Sequence, residues 1–187
     1  MVLPGTWRVS DGSQVSYQDA LQSWTAAAGP ILERVAGIYH ATITYLELGE
    51  QVQDRSGIRT RMLLMNWIGS VLGGVSRHAH TNGQPLLSAL CVRADGTIGD
   101  GYAIAVRENY GQQPEDLEMH AAPERLRCYQ FFGAALPQGG GIPALTPQVA
   151  ARRAARAART LPDLPSKPSC PSCYLTLPVT GVCDNCS

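Results

Sequence analysis

The chain has 187 residues, 44% of them hydrophobic and 16% charged, and a formal net charge of zero. That length allows one modest core with appendages, and the neutral balance excludes a binder that is basic throughout: any basic surface must be local. No apolar run approaches the roughly 20 residues needed to cross a bilayer, and MVLPGTWRVSDGSQ has no basic stretch followed by an apolar one, so a cytoplasmic protein with no membrane partner is expected.

Residues 1–16 read as a lead-in rich in Gly, Ser and Asp. A helix is predicted from about Ser16 to Ala28, with Ser16 and Asp19 at capping-box spacing. Gly29-Pro30 predicts a break, after which Ile31, Leu32, Val35, Ile38 and Tyr39 form the apolar face of a second helix. The β-branched run Thr42-Ile43-Thr44-Tyr45 leads directly into another helix, and Thr44 with Glu47 forms a capping box. Asp54-Arg55-Ser56-Gly57 predicts a turn. A long helix then starts near Thr60, with Leu63, Leu64, Trp67, Ile68, Val71, Leu72 and Val75 in one stripe. Gly73-Gly74 predicts a kink or a two-piece helix, and Asn82-Gly83 with Pro85 ends it.

The apolar run Pro85 to Val92 reads as a strand. Arg93-Ala94-Asp95-Gly96 suits a tight hairpin, with a further strand beyond it. Pro114 to Glu124 is acidic, and Ala122-Pro123 opens a helix from Glu124 to Phe132. The predicted organisation is a domain over 1–135, a Gly/Pro linker over 136–145, an arginine-rich helix over 146–161 opened by Thr146-Pro147, a second linker over 162–169 and a cysteine module over 170–187.

The most specific motif is the doubled C-x-x-C of Cys170, Cys173, Cys183 and Cys186. Two such turns present four thiolates to one ion, and in a reducing compartment this spacing favours metal over disulfides. One structural Zn2+ per chain is expected, in a minimal zinc ribbon with its bend near Pro178 and Gly181. Four protein ligands leave no open position for catalysis. So short a module buries little core, so the ion supplies most of its folding energy.

The order strand, helix, turn, helix, strand, hairpin, strand is that of a winged helix-turn-helix. Thr44-Tyr45-Leu46-Glu47-Leu48 and Arg93-Ala94-Asp95-Gly96-Thr97-Ile98-Gly99-Asp100-Gly101-Tyr102-Ala103 resemble the corresponding motifs in the DNA-binding half of alkylguanine-DNA alkyltransferases and alkyltransferase-like proteins. The likeness covers about a third of the chain and implies a winged helix contacting duplex DNA. It does not extend to alkyl transfer. Aligned on Arg93-Ala94-Asp95-Gly96, Ser88 stands where that family has its nucleophilic cysteine, with Ala89 and Leu90 in place of its His and Arg. Cys91, three residues on, lacks a neighbouring His and reads as a buried, inert thiol.

The expected fold class is therefore α+β: a winged helix-turn-helix domain with flanking helices, followed by a small zinc-ribbon module. Arg55, Arg59, Arg61, Arg77 and His78 bracket the expected recognition helix, where phosphate contacts would fall. Arg152, Arg153, Arg156 and Arg159 crowd a helix with no acid among them. They suit a phosphate backbone, a solvated face or docking on the acidic stretch 115–124. The expected function is non-enzymatic binding of double-stranded DNA, of a bacterial or phage regulatory type acting in transcription. A second reading is an adaptor binding a protein partner through the zinc ribbon. No P-loop, H-E-x-x-H or local Cys-His dyad points to an enzyme.

Overall fold

A computed structural model describes residues 5–159, 169–177, 183 and 185–186. The elements are β1 (Thr6–Arg8), α1 (Tyr17–Ala36), β2 (Ile43–Thr44), α2 (Tyr45–Ser56), β3 (Ile58–Thr60), α3 (Ile68–Thr81), β4 (Cys91–Val92), α4 (Asp100–Tyr110), α5 (Leu117–Phe131) and α6 (Pro147–Arg159). Short 3-10 turns at Leu64–Asn66 and Leu87–Leu90 precede α3 and β4. The class is α+β, with six helices and two small two-stranded sheets among the described residues. None of the described helices is long and apolar enough to cross a membrane. The chain divides into two compact units, Met1–Ala150 and Ala151–Ser187.

Two local signals hold as read. Ser16 caps α1, accepting from the Asp19 N–H at 3.1 Å. At α2 the capping box is complete: Thr44 Oγ1 accepts from the Glu47 N–H at 3.2 Å, and Glu47 Oε2 accepts from the Thr44 N–H at 2.8 Å. Each partner satisfies a donor that the first helical turn cannot.

Two of the prolines read as helix boundaries, Pro30 and Pro123, lie inside helices. α1 runs unbroken through Pro30, and α5 starts at Leu117, six residues before Pro123. A mid-helix proline costs about 3 kcal/mol. In α1, burial on both sides of Pro30 offsets it: Trp24, Ala27, Ala28, Ile31 and Leu32 all enter the core. At α5, Asp116 accepts from the N–H groups of Glu118 and Met119 and fixes the start upstream.

α3 also departs from the sequence reading. It begins at Ile68, because Arg59 lies in β3 and Leu63 is 67% exposed, off the buried stripe. The helix is continuous through Gly73-Gly74. A Cβ on Gly74 would come within 2.7 Å of Thr25 Cγ2, so glycine here permits the close approach of α1 and α3. The core forms around them. Trp24 and Trp67 pack with ring centroids 4.5 Å apart, and Trp24 Nε1 donates to Ile58 O at 3.0 Å.

The strands pair across long sequence gaps. β1 is antiparallel to β3 (Thr6 opposite Thr60), and β2 is parallel to β4 (Ile43 opposite Cys91). After β4 the Arg93–Gly96 turn forms, with Gly96 at φ +79°. The strand expected beyond it is reduced to one bridge, Val92 opposite Ile98, and the chain enters α4 at Asp100. The expected linker 136–145 belongs to the first unit and is tied down there. Ile142 N–H donates to Tyr39 Oη at 3.0 Å, and Gln130 Nε2 donates to Gly140 O at 3.1 Å.

Candidate metal centre and nucleic-acid interface

Cys170, Cys173, Cys183 and Cys186 are brought together, each Sγ within 4.8 Å of every other. All four are free thiols, and Cys173 Sγ lies 3.5 Å from Cys183 Sγ. Four sulfurs around a tetrahedral ion with 2.3 Å bonds would sit about 3.8 Å apart, so the constellation is close to the size an ion requires. Local backbone builds the first half of it. Cys170 N–H donates to Leu175 O and Tyr174 N–H donates to Cys170 O, both at 2.8 Å, and Tyr174 takes the left-handed φ of +58° that closes the turn. A bridge pairs Ser169 with Thr176. The backbone N–H groups of Ser172 and then Cys173 are aimed at Cys170 Sγ and bring its pKa down to about 6, which favours the thiolate a metal needs. In the second half, Cys186 N–H donates to Cys183 O at 3.3 Å. The bend read at Pro178 and Gly181, the linker from 162 to 168 and the last residues of the arginine helix lie outside the described residues.

The basic residues are distributed differently from expectation. Arg59 and Arg61 do not open α3. Arg59 lies in β3 and pairs with Asp54, and Arg61 lies over the Trp7 ring at 5.7 Å. Arg77 and His78 occupy the far end of α3, where Arg77 is 3.8 Å from Glu108 and His78 Nε2 is 3.2 Å from Asn82 Nδ2. Arg55 is exposed in the last turn of α2. The first turn of α3, Ile68-Gly69-Ser70, carries no charge. In α6 the reading is direct. Thr146 caps the helix, accepting from the Val149 N–H at 3.4 Å, and Arg152, Arg153, Arg156 and Arg159 are all exposed. The second unit has five cations, these four and Lys167, against Asp163 and Asp184, so the neutral total hides a basic C-terminal part.

The acidic stretch is partly internal to the first unit. Two of its carboxylates turn inward: Glu118 Oε1 accepts from the Ile98 N–H at 2.7 Å, and Glu124, 3% exposed, accepts from the Leu86 N–H at 2.7 Å. Spacing could have revealed part of this, since Glu118, Ala121, Arg125, Cys128 and Tyr129 recur at three- and four-residue intervals on one face of α5.

The segment aligned with the alkyltransferase motifs forms a cleft of about 360 Å³, lined by Tyr45, Ile68, Ser88, Arg93, Gly99 and Tyr102 among others. A Cβ on Gly99 would overlap the Tyr45 hydroxyl, so glycine there lets the ring close one side. Ser88 Oγ accepts from Ser76 Oγ at 2.9 Å, which supplies no base to activate it. Cys91 is fully buried outside the lining, and burial pushes its thiol well above the usual range, with Glu47 adding to the effect. Compared with known family models, curated proteins and solved structures, the chain matches none.

Proposed function

We propose that this chain is a non-enzymatic DNA-binding protein whose phosphate contacts come chiefly from α6 and whose four-thiolate module holds one structural Zn2+. The observation that carries this reading is the exposed arginine face of α6. Arg152, Arg156 and Arg159 stand at i, i+4 and i+7, with Arg153 beside them and no acid in the helix. A 13-residue helix is about 20 Å long, so four guanidiniums along it match successive phosphates of a backbone groove. Zinc is favoured because four thiolates of tetrahedral size suit a soft-ligand, closed site. In this reading β2, α2, α3, β4 and the Arg93–Gly96 turn act as a winged helix, with α3 as the groove-facing element. The order of those elements supports it. The uncharged first turn of α3 limits its part to shape and to the Ser70 hydroxyl.

Fluorescence anisotropy with a duplex at several salt concentrations tests this. The wild-type log affinity should fall linearly with log salt. Replacing the four arginines by alanine should flatten the slope by about 3.6, or roughly 0.9 per lost phosphate contact. Absence of binding at low salt, or an unchanged slope in the variant, would refute the reading; an adaptor that recognises a protein would give the first of these.

A further inference from the structure

Arg125 is the most unusual charge in the first unit. It is 2% exposed, yet none of the ion pairs among the described residues includes it. Its guanidinium donates instead to two main-chain carbonyls, Ala89 O and Ala144 O, both at a long 3.3 Å. These contacts satisfy two of five N–H groups. A buried cation normally has an anion against it, because neutral partners do not repay its lost hydration; here the carboxylate acting on it, Glu118 on the same face of α5, does so across space without an ion-pair contact. Arg125 lines a cleft of about 290 Å³ between α5 and the segment leading to α6. Leu126, Ile142 and Leu145 make its walls apolar, and His40 and Thr42 add polar groups. His40 holds φ at +65°, a costly conformation for a residue with a Cβ, and its ring stacks on Tyr39 at 3.7 Å. Strain of this kind persists where a side chain must be held at a site.

We propose that this cleft binds a small organic carboxylate, with Arg125 as its anion-binding group and the apolar walls holding the body of the molecule. The volume lies near the lower end for small-molecule sites. Bare phosphate fits less well, because it has nothing to set against Leu126, Ile142 and Leu145.

The probe is benzoate, with benzamide as its uncharged counterpart and inorganic phosphate as a second anion, followed by 1H–15N spectra of the full chain. Benzoate should shift the amides of residues 40–42 and 144–146, and benzamide should not. Arg125→Gln should weaken benzoate by about tenfold or more, as expected for loss of a charge-assisted pair. If that variant does not fold, Ile142→Trp decides, because Ile142 is 71% exposed and the larger ring would fill the cleft. It too should weaken benzoate by about tenfold, and unchanged affinity would overturn the proposal. Equal binding of benzamide, phosphate binding at the same amides as tightly as benzoate, or shifts confined to the arginines of α6 would each overturn it as well. None of these outcomes depends on DNA binding.

Discussion

Replacing Glu124 by alanine should destabilise the first unit more than any surface change nearby. The carboxylate is 3% exposed and joins three parts of the chain: Leu86 N–H at 2.7 Å, Tyr110 Oη–H at 2.8 Å and Arg127 Nη1 at 3.0 Å. An orphaned buried donor costs about 1–3 kcal/mol. Leu86 is fully buried and incurs the upper part of that range. Tyr110 is partly exposed and recovers some of its loss from water, while Arg127, 61% exposed, contributes under about 1 kcal/mol. The total is about 3 kcal/mol, or roughly 6–12 °C in Tm for a unit of this size. Glu124→Gln keeps one acceptor oxygen and should lose less. Thermal unfolding followed by circular dichroism measures all three variants. If Glu124→Ala costs under about 1 kcal/mol, or Arg127→Ala costs as much as it does, the assignment of Glu124 as the joint is wrong.

Three further outcomes are expected. Burial, and next the proximity of Cys91, push the Tyr45 phenol up to about 12, so the native state holds that proton more tightly than the unfolded chain does. The resulting stability is complete below about pH 10 and is lost as pH rises through 12; denaturant midpoints between pH 9 and 11.5 should fall less in Tyr45→Phe than in the wild type, and parallel declines would contradict this. Elemental analysis should find one zinc per chain, lost in Cys173→Ser and in Cys183→Ser; wild-type protein with a metal content near zero and four reactive thiols would sink the zinc site. Incubation with alkylguanine-containing DNA should leave Cys91 unmodified, and a covalent adduct on Cys91 seen by mass spectrometry would show the thiol to be reactive after all.

What could be read from the sequence was what is decided within a few residues. The Thr44–Glu47 box depends on a three-residue spacing, and the four cysteines report their own pairing through two short turns. Readings failed where a distant contact overrode a local preference. Pro30 sits in a helix because Ile31 and Leu32 have a core to enter, and Gly74 sits in one because Thr25 crosses it. The stripe from Leu63 was a mixture of buried and exposed residues, because periodicity does not mark where a partner surface begins. The β1–β3 pairing spans more than fifty residues, and neither strand has a run long enough to announce itself. Composition marks residues 118 and 124 only as acidic, because the backbone amides that bind them lie in another part of the chain.

The parallel pairing of β2 with β4 constrains how the molecule is made. Ile43 leaves the ribosome almost fifty residues before Cys91, its partner in the ladder, and the intervening chain includes α2, β3 and α3. At 5–20 residues per second, that interval is some seconds during which β2 has no strand beside it. The adjacent α1 and α2 can meet early, so the nascent chain would begin as a helical pair carrying an unmatched strand edge. Closure of this unit then waits for the 3-10 turn at Leu87–Leu90 to emerge and deliver β4. A chain stopped before residue 91 therefore keeps its helical propensity but has no means of sealing that edge, and it would be a substrate for proteases and chaperones.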